Sequence, residues 1–138
     1  MQKILDYINT KSRNKIVFYN HEIPNLPVTN IGHELSNSIA NLSTEKHFAL
    51  KAQSILDKLL TNSITKHDYF GNIISICNLG ILFEPELKIN FNTLIDKHSK
   101  NVCLLIKWDG EIKNNKLYFL TKENGIEINI KNLSHIII

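Results

Sequence analysis

Six histidines, two cysteines and a Glu-Pro-Glu triplet are the residues of this chain whose types suit metal binding or acid–base work. His21-Glu22 and His33-Glu34 pair two donors each. Neither extends to His-Glu-x-x-His, the spacing that brings two imidazoles to one helix face around zinc. Cys77 and Cys103 are far from C-x-x-C spacing, so no thiolate metal site is indicated. The histidines read as scattered surface residues, except His98, which shares an apolar helical face and reads as a satisfied, partly buried imidazole. Glu84-Pro85-Glu86 sets two carboxylates around a proline, and two carboxylates can divide acid and base roles. Alternate residues of an extended segment point to opposite sides, however, and a turn ahead of the next helix explains the triplet as well. No G-x-S-x-G elbow surrounds any serine. No catalytic residue, metal ligand or cofactor-binding residue is assigned.

Phosphate chemistry needs a glycine-rich loop after the first strand, leading into a helix whose backbone N–H groups cradle the anion. The loop here is Asn20-His21-Glu22-Ile23-Pro24-Asn25-Leu26-Pro27. It has no glycine, no Lys-Ser/Thr pair, and two prolines that lack an N–H donor. It is also shorter than the roughly dozen residues a helical crossover needs. The acidic residue that would hold Mg²⁺ at the end of an apolar strand falls at Asn78, which carries no charge. ATP hydrolysis is disfavoured on both grounds.

The elements that must position these residues follow from hydrophobic patterning. Ile4, Leu5 and Ile8 predict a short helix ending near Lys11. Lys15-Ile16-Val17-Phe18-Tyr19 predicts a buried strand, residues 20–27 a loop, and residues 28–31 a short second strand. From His33, Leu35, Ile39 and Leu42 share a helical face. Ser43-Thr44 is expected to cap a longer helix carrying Phe48, Ala52, Ile55, Leu56, Leu59 and Leu60. Residues 61–72 read as a polar connector. Residues 73–77 and 102–106 are continuous apolar runs, the mark of strands covered on both faces of a parallel sheet. Phe91, Leu94, Ile95 and His98 place a helix between them, completing a βαβ unit. Residues 117–120 and 126–130 read as edge strands, with a hairpin turn at Asn114-Asn115. Ile136-Ile137-Ile138 is expected to add an edge strand or pack on a neighbour.

Composition bounds the class. The 138 residues suit a single domain spanning 1–138. With 43% hydrophobic and 21% charged residues, wholesale disorder is excluded. The net charge of +3 is spread over both halves, so there is no basic arm or acidic tail. Arg13 is the single arginine among the basic residues, which argues against bidentate readout of phosphate or guanine. No apolar run approaches a membrane span. Asp6 interrupts the N-terminal apolar residues, unlike a secretory signal. Both cysteines lie in apolar runs and read as reduced core thiols, giving a cytoplasmic expectation.

Two segments resemble one family. Leu26-Pro27-Val28-Thr29-Asn30-Ile31-Gly32-His33-Glu34-Leu35-Ser36, with the helix that follows, is similar to the region downstream of the phosphate loop in BrxF. BrxF proteins are small P-loop proteins of bacteriophage-exclusion (BREX) systems. The second, longer segment is Leu79-Gly80-Ile81-Leu82-Phe83-Glu84-Pro85-Glu86-Leu87-Lys88-Ile89-Asn90, a helix, and Asn101-Val102-Cys103-Leu104-Leu105-Ile106-Lys107-Trp108-Asp109-Gly110-Glu111. It is similar to the family's "LFDPEL", helix, strand and "W-x-G" pattern. The resemblance covers residues 26–125. Such proteins carry a Walker A loop and an acidic residue where Asn78 stands, so no nucleotide-binding residue is carried over.

The resulting expectation is an α/β fold: a small, mainly parallel sheet flanked by helices, degenerate P-loop-NTPase-like, with antiparallel C-terminal strands. The function implied by the resemblance is a non-catalytic pseudo-NTPase subunit of a bacterial antiphage system that binds another protein of that system. Partner contact is assigned to Glu84, Glu86, Trp108, Asp109 and Gly110, at or beyond strand ends where α/β folds place binding surfaces. For Trp108 the competing reading is an indole that covers the sheet end. The alternatives are an ATPase-like enzyme with an atypical phosphate site and a DNA-binding accessory protein, the latter suggested by the mild positive charge. No membrane partner is expected, and self-assembly is left open.

Overall fold

The computed structural model describes residues 2–119 and 125–138. Its elements begin with α1 (Gln2–Ile8), β1 (Ile16–Tyr19), β2 (Thr29–Asn30), α2 (Ile31–Ile39) and α3 (Phe48–Asn62). β3 (Thr65–His67), β4 (Gly71–Cys77), α4 (Phe91–Lys97) and β5 (Cys103–Lys107) follow, with two 3-10 turns, Gly80–Phe83 and Pro85–Leu87, between β4 and α4. β6 (Glu111–Lys113), β7 (Lys116–Phe119), β8 (Ile126–Asn129) and β9 (Ile136–Ile137) complete the chain.

The three apolar runs form the centre of the main sheet, whose order is β2-β4-β5-β1-β9 with β3 antiparallel on β4. All pairs along that path are parallel. Phe18 pairs with Ile106 and Ile76 with Ile106, so the central strands end level with one another. β1, the middle of β4 and most of β5 are buried, as strands covered on both faces must be.

The two faces are covered unequally. Ile16, Phe18, Ile74, Ile76, Leu104 and Ile106 pack under α2, α3, α4 and the C-terminal hairpin. Val17, Tyr19, Ile73, Cys103 and Leu105 face α1, the loop residues Ile23 and Leu26, and Phe70. Tyr7 anchors this thinner layer. Its hydroxyl accepts from Ile16 N at 3.0 Å and lies within donating distance of Asn14 O (2.8 Å) and Ser134 O (2.9 Å). Just ahead of β1, Asp96 on α4 accepts from Arg13 Nη2 at 3.2 Å and from Asn14 Nδ2 at 2.9 Å. Those two hydrogen bonds hold its carboxyl down to about 2.

Several expectations are corrected. Ser43 and Thr44 do not cap α3. The helix starts at Phe48, after His47 at φ 58°, with no side-chain cap, while residues 41–44 form turns. α2 starts at Ile31, capped by Asn30 Oδ1 accepting from His33 N at 2.9 Å, and ends before Leu42. Residues 61–72 hold the end of α3, β3 and the start of β4 rather than a bare connector. β7 and β8 are antiparallel C-terminal strands as expected, with β8 at an edge but β7 in the centre of its sheet. With β6, which periodicity did not reveal, they make a separate antiparallel sheet of order β6-β7-β8. Its first hairpin turns at Asn114 and Asn115, at φ 54° and 62°, as expected for asparagines in a tight turn. Leu120, expected to end the strand at 117–120, lies outside the described residues. Ile136–Ile137 does add an edge strand, on β1.

Candidate functional site

Open α/β sheets bind ligands beyond the carboxyl ends of the strands, where neighbouring strands send their chains in opposite directions. Here β1 runs on toward β2, and β5, after the hairpin sheet, toward β9. The corresponding strand end is marked by Tyr19 and Lys107, which are register partners.

On the α1 side of that end, the strand pleat gathers Tyr19, Ser75, Cys77 and Lys107. Lys107 Nζ lies 3.3 Å from Glu22 Oε1 of the loop after β1, a contact that raises the ammonium's pKa. Tyr19 and Ser75 are 2% and 3% exposed, and neither hydroxyl makes a hydrogen bond of good geometry among the described residues. Burial pushes the Tyr19 phenol up, with the neighbouring Ser75 hydroxyl working against it. Burial likewise raises the Cys77 thiol, opposed by Lys107. The Cys103 thiol, deeper in the same layer, is pushed up to about 12. Both cysteines are free. A thiol held protonated by burial is a poor nucleophile, so the cluster has the character of a packed strand end.

Asn78 explains itself locally. It sits at φ 60°, a backbone state asparagine tolerates better than most side chains. Its Nδ2 donates to Asn30 Oδ1 at 2.9 Å, the same oxygen that caps α2. Gly32 packs against it so closely that an added Cβ would stand 2.3 Å from Asn78 O. The position where a Mg²⁺-binding acid would stand thus serves as the clasp between β4 and α2. The loop after β1 is equally committed: Ile23 is buried against the sheet, so the segment covers the sheet where a phosphate cradle would have to open.

The structure divides the five expected contact residues. Trp108 is 2% exposed. Its N donates to Tyr19 O at 2.8 Å and its Nε1 to Tyr118 O at 3.3 Å. Phe83, Phe91 and Phe119 surround the indole at centroid distances of 6.0 to 6.4 Å. It covers the sheet end from inside, as the competing reading of the indole has it. Gly110 is fixed by packing, since an added Cβ would stand 1.9 Å from Tyr118 O. Trp108 and Gly110 line a cleft of about 410 Å³ with Tyr19, Lys113, Ile137 and Ile138. Glu84 and Glu86 line a different, open groove of about 540 Å³ beside α2 and the start of α3. Asp109 is exposed and lines neither.

Sequence reading missed Tyr19, Lys107 and Cys77 as strand-end neighbours, because their adjacency is made by sheet order. It also missed Ile39, Phe48 and Ile81 as groove residues. The available signal was that Lys107 directly follows a buried apolar run. His98 is as expected: its side chain is 8% exposed and its Nε2 lies 2.9 Å from Asp57 Oδ1. Burial favours protonation of Asp57, but hydrogen bonds from His98 and Lys97 prevail and lower its pKa. Among the described residues no cluster of His, Cys, Asp and Glu is placed to hold a metal ion, and no helix is long and apolar enough to cross a membrane. In comparisons with known proteins, the chain matches no family model, no curated protein and no solved structure.

Proposed function

We propose that this chain is a non-catalytic interaction subunit, a cytoplasmic pseudo-NTPase of a bacterial antiphage system, that works by binding another protein of that system. The assignment to antiphage defence rests on the resemblance of residues 26–125 to BrxF. The non-catalytic half rests on one observation: β1 passes to β2 through residues 20–28 without a helix, with Ile23 packed into the sheet face. Asn78, locked to Asn30, supports it from the neighbouring strand. A phosphate site here would need both segments rebuilt.

Two measurements test the reading. Calorimetric titration with ATP and Mg²⁺ is expected to give no saturable heat, whereas micromolar binding would overturn the pseudo-NTPase assignment. Affinity capture from cells that carry the neighbouring genes is expected to retain one partner protein in stoichiometric amount. Recovery of the chain alone and monomeric would overturn the interaction assignment. Retardation of duplex DNA that weakens steeply with salt would replace it with the DNA-binding alternative.

A further inference from the structure

An edge strand leaves backbone N–H and C=O groups without a sheet partner, and proteins commonly close such edges with a side chain. Two edges of this chain are closed in that way. On β9, Lys3 Nζ donates to Ile137 O at 3.0 Å, and on β8, Asn92 Nδ2 donates to Asn129 O at 2.6 Å. β6 is the opposite edge of the hairpin sheet, and no side chain among the described residues bonds to the backbone of Ile112.

The register fixes which groups of β6 are open. The turn at Asn114 and Asn115, both at positive φ, closes on Lys113 and Lys116. Ile130 N donates to Asn115 O at 2.9 Å, which turns the backbone groups of Asn115 and Leu117 toward β8 and those of Lys116 and Tyr118 toward β6. These directions alternate along an antiparallel ladder. Glu111 and Lys113 therefore bond to β7, and Ile112 turns its N–H and C=O outward. The strand borders a cleft of about 410 Å³, which Glu111, Ile112 and Lys113 line together with Tyr19, Trp108 and Ile137. Ile112 packs partly against the main core, whereas Glu111 and Lys113 are exposed on the other face of the hairpin. Neither of these two makes an ion pair among the described residues.

We infer that β6 takes up an extended segment of the partner protein as an added antiparallel strand. The residue opposite Ile112 exchanges both backbone hydrogen bonds with it and lays an apolar side chain in the cleft. Its neighbours stand opposite Lys113 and Glu111, which selects an acidic residue before it and a basic residue after it. The inference rests on the interaction reading above and names the surface and the chemistry of that contact. A second copy of the chain carries the same acidic-apolar-basic pattern in Glu111-Ile112-Lys113. Joining two β6 edges antiparallel, however, puts both main sheets on one side of the joined sheet. The space beside the edge is already shared with Tyr19 and Ile137 of the main sheet, which favours a lone segment over a whole copy.

The test uses the full chain and a fluorescein-labelled peptide, Ser-Thr-Glu-Val-Lys-Thr-Ser, with a second version N-methylated at the valine. Fluorescence anisotropy is expected to show saturable binding of the first and about tenfold weaker binding of the second, which lacks the N–H that Ile112 O accepts. Exchanging the charges, Glu111→Lys with Lys113→Glu, is expected to weaken the parent peptide about fivefold, and a Lys-Val-Glu version is expected to recover it. The melting temperature is expected to stay within a few degrees, since both residues are exposed. The Ile112 amide is expected to shift downfield and to gain protection from hydrogen exchange in the complex. No saturable binding, equal binding of the N-methylated peptide, indifference to the charge exchange, or amide shifts centred away from residues 110–113 would overturn the inference. So would dimerisation that protects the same amide, which would make the occupant a second copy. Capture of a partner that excess parent peptide does not reduce would reject the edge while leaving the interaction reading intact. Peptide binding at Ile112 with no partner captured would reject that reading and leave the edge.

Discussion

β1 and β4 both deliver the chain, at their carboxyl ends, to another parallel strand, and they do so with different amounts of structure. Between β4 and β5 lie two 3-10 turns and α4, which add Leu82, Leu87, Phe91 and Ile95 to the thicker hydrophobic layer. Between β1 and β2 lies the helix-free segment 20–28, which adds Ile23 and Leu26 to the thinner one. The short passage works because β2 pairs only with Ile76 and Cys77, at the far end of β4, so the chain crosses the sheet top without descending its length. Ile23 and Leu26 commit this segment to covering the sheet face. The same geometry that makes the fold economical leaves no helix between β1 and β2.

The largest effect that tests this contrast is Trp108→Ala. Trp108 is enclosed by three phenylalanines on the thicker side, and truncation is expected to cost about 3–5 kcal/mol, read by urea denaturation. Ile23→Ala is expected to cost about 2 kcal/mol, because the loop can settle into the space left behind. A cost for Ile23 equal to that of Trp108 would show that the thin layer is as tightly packed as the thick one, and would break the comparison. Asn78→Ala loses both a conformation suited to φ 60° and the hydrogen bond to Asn30. Its expected cost is about 1–2 kcal/mol, with Asn78→Gly milder because glycine accepts the backbone.

The smallest expected effect concerns pH. Asp96 titrates at about 2 in the folded chain, against about 3.9 in an unfolded one. A folded pKa below the unfolded value stabilises above the unfolded value, and that stabilisation is lost as pH falls toward the folded one. The difference in melting temperature between wild type and Asp96→Asn is expected to be constant above about pH 5 and to close between about pH 4 and pH 2. A difference that persists at about pH 2 would mean that the amide variant is destabilised for reasons other than charge.

Patterning made much of the fold legible. Ile16-Val17-Phe18-Tyr19, the runs at 73–77 and 102–106, and the helical faces at Leu56 and Ile95 are found as strands and helices in their expected places. Boundaries failed where a local signal competed with packing. Ser43-Thr44 has the chemistry of a cap, yet Phe48 starts the helix, packed partly against the main core. The antiparallel C-terminal strands are legible too, but alternation in residues 126–130 identifies a strand and not the sheet to which it belongs.

The sequence by itself determined the α/β class, the glycine-free loop after β1 and the uncharged residue at position 78, because these are properties of residue type and period along the chain. Only the tertiary structure decided that Trp108 lies inside, that Asn78 clasps α2, and that Glu84 and Glu86 share a groove with Ile39 and Phe48. The reason is that a groove is made by residues far apart in the chain. Ile39, Phe48 and Ile81 become neighbours only when α2, α3 and the first 3-10 turn are drawn onto one sheet face, and no local pattern encodes that meeting.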